Sequence, residues 1–226
     1  MANSRRFRDN VEQLDKTKVY GLQDAMSTLK SLRPAKFDET VEVVARLSVD
    51  PKKSDQMVRG AVSMPHGLGK DVRIVVFAEG DAAEAAKAAG ALEVGSDELG
   101  AKIEAGWTDF DIVIAHPAMM RVVGKLGRTL GPQGKMPSPK SGTVTPDVAK
   151  ATAEFKAGKV EFRVDAAGNV HVPVGKLSFS AENLEENART FLDMVSSMRP
   201  ASARGTYFRT ISVSSTMGPG LKVNFS

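Results

Sequence analysis

The pattern of apolar residues changes twice along this chain, and this change limits its fold more than any other feature. Residues 39–49 alternate between apolar and polar side chains, and residues 206–214 do so again. Alternation with a period of two is typical of strands with one buried face and one solvent-facing face. Between these segments, residues 72–77 and 111–115 are nearly uninterrupted apolar runs separated by helical stretches. Such runs indicate a parallel sheet covered by helices on both faces.

The two patterns predict an α/β protein with two domains. Residues 1–67 and 159–226 are expected to form one discontinuous α+β domain with an antiparallel sheet. Residues 68–158 are expected to form an inserted Rossmann-like α/β domain with a parallel sheet. Glycines lie at both crossings between the domains, and inter-domain connections of this kind commonly allow motion. We therefore predict a hinge at Gly67, Gly69 and Gly158.

Local signals predict several smaller elements. A helix is expected to carry Pro146 in its first turn and to end at Ala157. Residues 160–164 and 170–174 are expected to pair as a hairpin across an Ala-Ala-Gly-Asn turn. Ser180 is placed to cap the next helix.

Composition excludes several classes of function. The chain has 226 residues, of which 42% are hydrophobic and 26% charged, as in an ordinary globular protein with a buried core. It has no cysteine, and its three histidines are isolated from one another, so we predict no disulfide, no metal site and no cofactor. We find neither a membrane-spanning run nor a secretory signal, and we expect a cytoplasmic protein that does not contact membranes.

An enzyme, such as a methyltransferase or a phosphatase built on the α/β unit, is the weaker alternative. Gly80 follows the first buried strand but is not part of a G-x-G-x-x-G fingerprint, which argues against dinucleotide binding. The sequence offers no nucleophile with a neighbouring base and no paired carboxylates apart from an acidic surface. We predict no catalytic residues.

Charge is unevenly distributed along the chain. The net charge is +4, yet residues 81–111 hold eight acidic and two basic residues. After Asp193 there are four basic residues and no acidic one. This asymmetry favours oriented binding to a polyanion over general stickiness.

The most unusual segment by composition is a basic one. Five glycines and three prolines lie between residues 124 and 142, and residues 121–140 carry five positive charges and no negative one. Glycine and proline disfavour helices, so we predict an irregular loop whose free amides and cations suit a polyanion. Its proposed binding residues are Lys125, Arg128, Lys135 and Lys140. A solvated surface turn is the simpler alternative.

Two phosphate-binding motifs fit this segment poorly. A Walker loop requires G-x-x-x-x-G-K-[ST], but Lys135 is followed by Met136 and Thr129 stands where the first glycine would be. Gly124-x-x-Gly127 matches the backbone-clamping spacing of KH modules, a spacing that arises often by chance.

The chain reads L-G-R-x-L-G-P-x-G-x-M-P-x-P-K from Leu126 to Lys140, followed by Gly-Thr-Val-Thr at 142–145. This segment closely resembles the signature of the ribosomal proteins numbered one of the large subunit, which belong to the mobile stalk. Family members more often carry a basic residue at 133, an aliphatic one at 135 and an asparagine at 138, where this chain has Gln133, Lys135 and Ser138. The resemblance covers essentially the whole chain and implies the two-domain arrangement with a hinge.

The polar face of the antiparallel sheet offers a surface for RNA. Basic, hydroxyl and aromatic side chains there suit phosphates, 2′-hydroxyl groups and unstacked bases. The candidate RNA-binding residues are Lys36, Phe37, Thr40, Glu42, Arg46, Thr210, Thr216, Met217 and Gly218. From the sequence alone, a core position is the favoured interpretation of Phe37, and an ordinary turn is the alternative for residues 215–219.

The resemblance implies more specific roles. In the family, the Thr-Met-Gly motif and the segment around Phe37 to Glu42 are the principal contact with ribosomal RNA. It implies a structural constituent of the large subunit, located on the cytoplasmic ribosome, that assists release of deacylated transfer RNA from the exit site. It also implies repression of the messenger RNA of its own operon, and a monomer off the ribosome. An RNA-binding regulator that acts only outside the ribosome is the remaining alternative.

Overall fold

The computed structural model describes residues 4–15 and 17–225. The chain divides into two compact units, Met1–Gly69 with Phe162–Ser226, and Lys70–Glu161. The residue limits of the two domains as folding units stay a prediction. In chain order, the helices and strands are α1 (Arg5–Glu12), α2 (Leu22–Ser31), β1 (Thr40–Leu47), β2 (Arg59–Ser63), β3 (Ile74–Phe77), α3 (Asp81–Ala88), β4 (Glu93–Gly95), α4 (Asp97–Glu104), β5 (Ile112–Ala115), α5 (Met120–Lys125), α6 (Gly127–Leu130), α7 (Val148–Ala157), β6 (Lys159–Arg163), β7 (Asn169–Lys176), α8 (Ala181–Ser197), β8 (Phe208–Ser215) and β9 (Leu221–Val223).

The discontinuous unit contains a four-stranded antiparallel sheet with the order β7-β1-β8-β9. Val43 of β1 lies opposite Val172 of β7 and Val213 of β8, and all three side chains are fully buried. Helices α2 and α8 pack together and cover this side of the sheet. Their buried faces repeat at three- and four-residue spacing, as the sequence of α2 predicts.

The inserted unit contains a three-stranded parallel sheet with the order β4-β3-β5. Every residue of β3 is buried, because helices cover both of its faces. Val75 and Phe77 pack with α4, α5 and α6, whereas Ile74 and Val76 pack with α3 and α7. The predicted fold class, an antiparallel sheet in one domain and a parallel sheet in an inserted α/β domain, is confirmed.

The prediction of an irregular loop at 124–142 is wrong for its first part. Residues 120–130 form α5 and α6, so Gly124 and Gly127 lie in helical segments. Val123, Leu126 and Leu130 of this stretch are buried in the core of the inserted unit. Burial of three aliphatic side chains, each contributing about 1.5 to 3 kcal/mol, outweighs a cost of roughly 1 kcal/mol per helical glycine.

The predicted hairpin of residues 160–164 with 170–174 is also wrong. The turn between them forms, and the Asp165 carboxylate accepts hydrogen bonds from the amides of Ala167 (2.8 Å) and Asn169 (2.7 Å). The two strands nevertheless belong to different sheets, because β6 pairs with β2 whereas β7 pairs with β1. A turn signal identifies a reversal of the chain but not the partner of each strand.

Of the two predicted helix starts, the one at Ser180 is confirmed and the one at Pro146 is wrong. Ser180 caps α8, since its hydroxyl accepts a hydrogen bond from the Asn183 amide at 3.1 Å. Pro146 does not lie in the first turn of α7. That helix begins at Val148, and Asp147 is its cap, accepting a hydrogen bond from the Lys150 amide at 3.0 Å. Within the described residues, no helix has the length and apolarity needed to span a membrane.

Candidate nucleic-acid interface

The Thr-Met-Gly turn (residues 215–219) lies against the beginning of β1. The Thr216 amide donates a hydrogen bond to the Thr40 carbonyl at 3.0 Å. The Thr216 hydroxyl accepts one from the Thr40 amide at 3.0 Å and lies 3.2 Å from the Thr40 carbonyl, to which it donates. Two of the predicted site segments, far apart in sequence, are therefore joined by backbone and side-chain hydrogen bonds.

A buried carboxylate lies beneath this junction. The Glu39 side chain is 1% exposed. Its Oε2 accepts hydrogen bonds from the Ser215 hydroxyl (2.7 Å) and the Met217 amide (2.9 Å), and its Oε1 accepts one from the Ala35 amide (2.6 Å). Glu39 thus connects the β1 entry loop (residues 35–39) to the Thr-Met-Gly turn.

Arg6 of α1 completes this arrangement. Its guanidinium donates to the Met217 carbonyl at 2.9 Å and lies 3.6 Å from Glu39 Oε1. Burial acts to raise the pKa of Glu39, but the hydrogen bonds that its carboxylate accepts, together with the Arg6 charge, outweigh burial and hold the pKa below its usual value. Glu39 is therefore ionised at neutral pH.

Neither Glu39 nor Arg6 was among the candidate site residues predicted from sequence. The alternation of β1 does contain a signal that the Glu39 side chain is buried. Position 39 has the same parity as the buried Val41, Val43 and Ala45, so its side chain points inward. An inward-facing glutamate at the end of a strand requires donors, and this structure supplies them. We find no sequence signal that identifies Arg6.

The side chains that this junction presents to solvent are large and apolar. Phe37 is 54% exposed and Met217 is 53% exposed. The interpretation of Phe37 as a core residue is therefore wrong. The entry loop and the turn bind the same carboxylate through Ala35 and Met217, so these two exposed residues belong to neighbouring segments. Lys36 is also exposed.

The remaining candidates lie on the solvent-facing side of the sheet. Arg46 is directly opposite Thr210 of β8, and Glu42 is opposite Ser214. Lys176 of β7 donates a hydrogen bond from its ammonium to the Thr40 hydroxyl at 2.9 Å. Lys222 of β9, opposite Ser212, is exposed at the far edge of the sheet.

Gly218 is required by the turn itself. A Cβ at this position would lie 2.3 Å from the Ser215 hydroxyl, which is held by its hydrogen bond to Glu39. A larger residue would therefore displace the hydroxyl or distort the turn. The binding of RNA at Gly218 stays a prediction.

The four cations proposed to bind a polyanion in the basic segment lie in the inserted unit, apart in sequence from this junction. Lys125, Arg128 and Lys140 are exposed. Lys135 is half-buried: its ammonium donates to the Thr108 carbonyl at 3.0 Å and lies 4.9 Å from the centre of the Phe110 ring. Its charge is thus engaged inside the protein.

The predicted hinge glycines have backbone conformations that favour glycine. The φ angles are 67° at Gly67, 65° at Gly69 and 114° at Gly158. Gly158 also ends α7. A Cβ at Gly69 would lie 2.9 Å from the Phe179 ring. Motion at these positions stays a prediction.

The chemistry of the junction suits recognition more than catalysis. Its two segments carry an exposed aromatic ring at Phe37, an exposed thioether at Met217 and an exposed cation at Lys36. Rings and guanidinium groups stack on bases, and cations contact phosphates. Within residues 4–15 and 17–225, we find no group of three or more His, Cys, Asp or Glu side chains suited to a metal ion.

Two comparisons with known proteins match this chain. The family model described as the Ribosomal protein L1p/L10e family matches residues 29–219. Large ribosomal subunit protein uL1 of Protochlamydia amoebophila (strain UWE25) is 54% identical over 221 residues, which are 98% of this chain and 94% of that protein. The region matched by the family model includes Glu39 and the Thr-Met-Gly turn.

Proposed function

This chain belongs to the ribosomal protein L1p/L10e family, and we propose that it is a structural constituent of the large ribosomal subunit. In this role it binds large-subunit ribosomal RNA on the ribosome in the cytoplasm. Its direct RNA contact is the junction of the β1 entry loop with the Thr-Met-Gly turn. The sheet face that carries Glu42, Arg46 and Thr210 extends this contact.

The observation that supports this proposal most is the exposure of Phe37 and Met217 on two segments held by one carboxylate. Single exposed apolar residues are common, but exposed apolar groups that lie on adjoining segments more often mark a binding site. An unstacked base or a ribose can cover such groups, and the nearby Lys36 can contact a phosphate.

The geometry of this site does not favour an enzymatic function. The buried carboxylate at the junction, Glu39, has its oxygens occupied by protein donors and is shielded from solvent. Proteins of this family are ribosomal, and their role is generally structural.

Two finer activities belong to the same proposal. On the ribosome, the protein assists release of deacylated transfer RNA from the exit site, with the exposed cations Lys125, Arg128 and Lys140 facing RNA and a hinge at the bracketing glycines permitting movement. Off the ribosome, as a monomer, it represses the messenger RNA of its own operon. Because that repression uses the same junction, ribosomal RNA and message would compete for one site.

The proposal is tested by co-sedimentation with large ribosomal subunits through a high-salt wash. The wild-type protein is expected to remain with the subunits, because contacts by shape and stacking survive salt better than phosphate contacts. The double variant Phe37→Ala and Met217→Ala is expected to wash off. Met194→Ala is the matched control, since Met194 is also exposed (37%) but lies on α8. Loss of the wild-type protein in the wash would contradict the proposal.

The repressor activity has its own test. A reporter that carries the leader of the operon message is translated in a cell-free system with added protein. Repression that ribosomal RNA relieves is the expected result, and repression that survives an excess of ribosomal RNA would mean that the two RNAs use different surfaces.

A further inference from the structure

We propose that Glu39 is a positioning residue for RNA recognition, which holds the β1 entry loop and the Thr-Met-Gly turn in the one arrangement that presents Phe37 and Met217 together. The inference deepens the proposed function and rests on it. Glu39 is buried and does not itself contact RNA, so it acts through the segments that it connects.

The geometry shows how one carboxylate can do this. Oε1 accepts from the entry loop at the Ala35 amide, and Oε2 accepts from the turn at Ser215 and Met217. Each of the two oxygens thus holds a different segment. The rigid carboxylate plane fixes the distance between them, and charge-assisted hydrogen bonds of this kind are stronger than neutral ones.

Arg6 acts on the same turn from α1. Its guanidinium donates to the Met217 carbonyl, while Glu39 accepts from the Met217 amide. Both backbone polar groups of Met217 are therefore held by side chains, which fixes the direction in which its Cα–Cβ bond leaves the turn. Arg6 also neutralises the buried carboxylate, from which it is 3.6 Å away.

The location of the hydrogen-bond donors to Glu39 indicates that this residue positions the two RNA-binding segments, rather than stabilising the fold in general. Its donors belong to the two segments that carry the exposed candidates, rather than to the helices of the core. Thr216 joins the same two segments through Thr40. The absence of a side chain at Gly218 leaves room for the Ser215 hydroxyl to donate to Glu39, because a Cβ there would lie 2.3 Å from that hydroxyl.

The substitution that tests this is Glu39→Gln, which keeps the size and shape of the side chain. An amide has one oxygen and one NH2 group, so one of its two ends must face the N–H donors that now face a carboxylate oxygen. Either the entry loop or the turn loses its acceptor. Glu182→Gln on α8 is the matched control, because Glu182 is exposed and its loss changes the net charge equally.

Binding is measured with deproteinised large-subunit ribosomal RNA and, as a nonspecific probe, an oligouridine, over a series of salt concentrations. Glu39→Gln is expected to bind the ribosomal RNA about tenfold to a hundredfold more weakly, which corresponds to one lost hydrogen bond to a charged group. Binding to oligouridine and the slope of log affinity against log salt are expected to stay unchanged, since no phosphate contact is removed. Glu182→Gln should behave like the wild type in both assays.

A double-mutant cycle separates positioning from a loss of folding. If Glu39 acts through Phe37 and Met217, Glu39→Gln should cost less than about twofold in affinity when both of those residues are already alanine. Losses that add in full would overturn the proposal. Ser215→Ala provides a second variant that removes one donor without leaving a charge unpaired, and it is expected to lose part of the affinity while folding normally.

The outcomes distinguish this inference from the function on which it rests. If the wild-type protein does not prefer ribosomal RNA to oligouridine, the proposed function fails. If the wild type shows this preference and folded Glu39→Gln shows it equally, the positioning role is overturned. If Glu39→Gln does not fold, Ser215→Ala decides, and unchanged affinity in that variant overturns the proposal.

Discussion

Thr216 and Met217 are neighbours in one turn but contribute to it in different ways. The Thr216 hydroxyl is engaged with the Thr40 backbone, whereas the Met217 side chain is exposed. We expect Thr216→Val and Met217→Ala each to weaken binding to large-subunit ribosomal RNA by about 1 to 3 kcal/mol. Thr216→Val would act by loosening the turn, and Met217→Ala by removing an apolar contact with RNA. Equilibrium binding at fixed salt measures both effects.

Lys36→Ala serves as the contrasting variant. It removes a phosphate contact, so it should weaken binding to any RNA and reduce the slope of log affinity against log salt by somewhat less than one. The melting temperature of Met217→Ala should equal that of the wild type, because an exposed side chain contributes little to folding. Normal binding by stable Thr216→Val and Met217→Ala variants would exclude the turn as the recognition element.

Glu39 predicts a dependence of stability on pH. Its pKa in the folded protein is lower than in the unfolded chain, so ionisation stabilises the fold. This contribution is fully present above the unfolded pKa and is lost as pH falls through the folded one. At pH 7, Glu39→Gln is expected to reduce the free energy of unfolding by roughly 2 to 4 kcal/mol.

Denaturant titrations of both proteins at several pH values test this prediction. The difference in the free energy of unfolding should be constant from neutral pH down to the ordinary glutamate pKa of 4.5, and should shrink at lower pH. A difference that grows as the solution is acidified would mean that the folded protein favours the protonated side chain.

The exposure of a candidate residue was predictable from the sequence where the residue lies on the polar face of an alternating strand. Glu42 and Arg46 are of that kind, and both are exposed. The binding of RNA by these candidates stays a prediction. The exposure of Phe37 was not predictable, because an aromatic residue before a strand is more often buried than exposed. Arg6 could not be identified either, because its partner Met217 is near the other end of the chain and a single sequence gives no signal for such pairs.

At the scale of elements, glycine substitutions can test the helical structure of the α5–α6 segment. Gly124 lies within α5, and a Cβ there would meet nothing within 4 Å. Gly124→Ala is therefore expected to stabilise the inserted unit by about 0.5 to 1 kcal/mol, because alanine loses less backbone freedom in a helix. The fluorescence of Trp107, the only tryptophan, reports on this unit, since the ring packs against its core.

Gly131→Ala is the matched control for this test. A Cβ at Gly131 would lie 2.5 Å from the Gly127 carbonyl oxygen, so this variant should be destabilised. If Gly124→Ala lowers the denaturation midpoint as well, the helical assignment of residues 120–125 is contradicted.

Elements were predictable where burial has a clear period. The alternation of β1 and the uninterrupted apolar run of β3 each identified the class of sheet. The partners of β6 and β7 were not predictable, because pairing depends on contacts remote in sequence. The glycine and proline content of residues 124–142 obscures the helices at 120–130, whose signal is the helical spacing of Val122, Val123, Leu126 and Leu130.

At the scale of the whole molecule, the two crossings of the chain between its units are the basis of a prediction about motion. Gly67, Gly69 and Gly158 are expected to act as hinges, since each has a positive φ and lies near a crossing. Small-angle scattering of the free protein and of its complex with large-subunit ribosomal RNA, with the RNA matched out by contrast, should give different protein profiles. One rigid shape that fits both profiles would count against the hinge.

Because one of the two units is discontinuous in sequence, it can be tested which of them provides the affinity for RNA. Glu39, Arg6 and the turn at 215–219 all lie outside the inserted unit, and each bond that joins them is made between residues of the other unit. Replacement of residues 70–157 by a short flexible linker should therefore leave the junction intact. It also leaves all of β6 in place to pair with β2.

We expect the shortened protein to bind large-subunit ribosomal RNA within about 2 kcal/mol of the full chain, which is a factor of about thirty in affinity. Its melting curve is the control, because loss of a cooperative transition would show that the linker prevents folding. Glu39→Gln in the shortened protein should weaken binding by the same factor as in the full chain, since the carboxylate acts on segments that the deletion does not touch. A shortened protein that folds but loses more than thirtyfold in affinity would place the principal contact on the inserted unit, where Lys125, Arg128 and Lys140 are exposed.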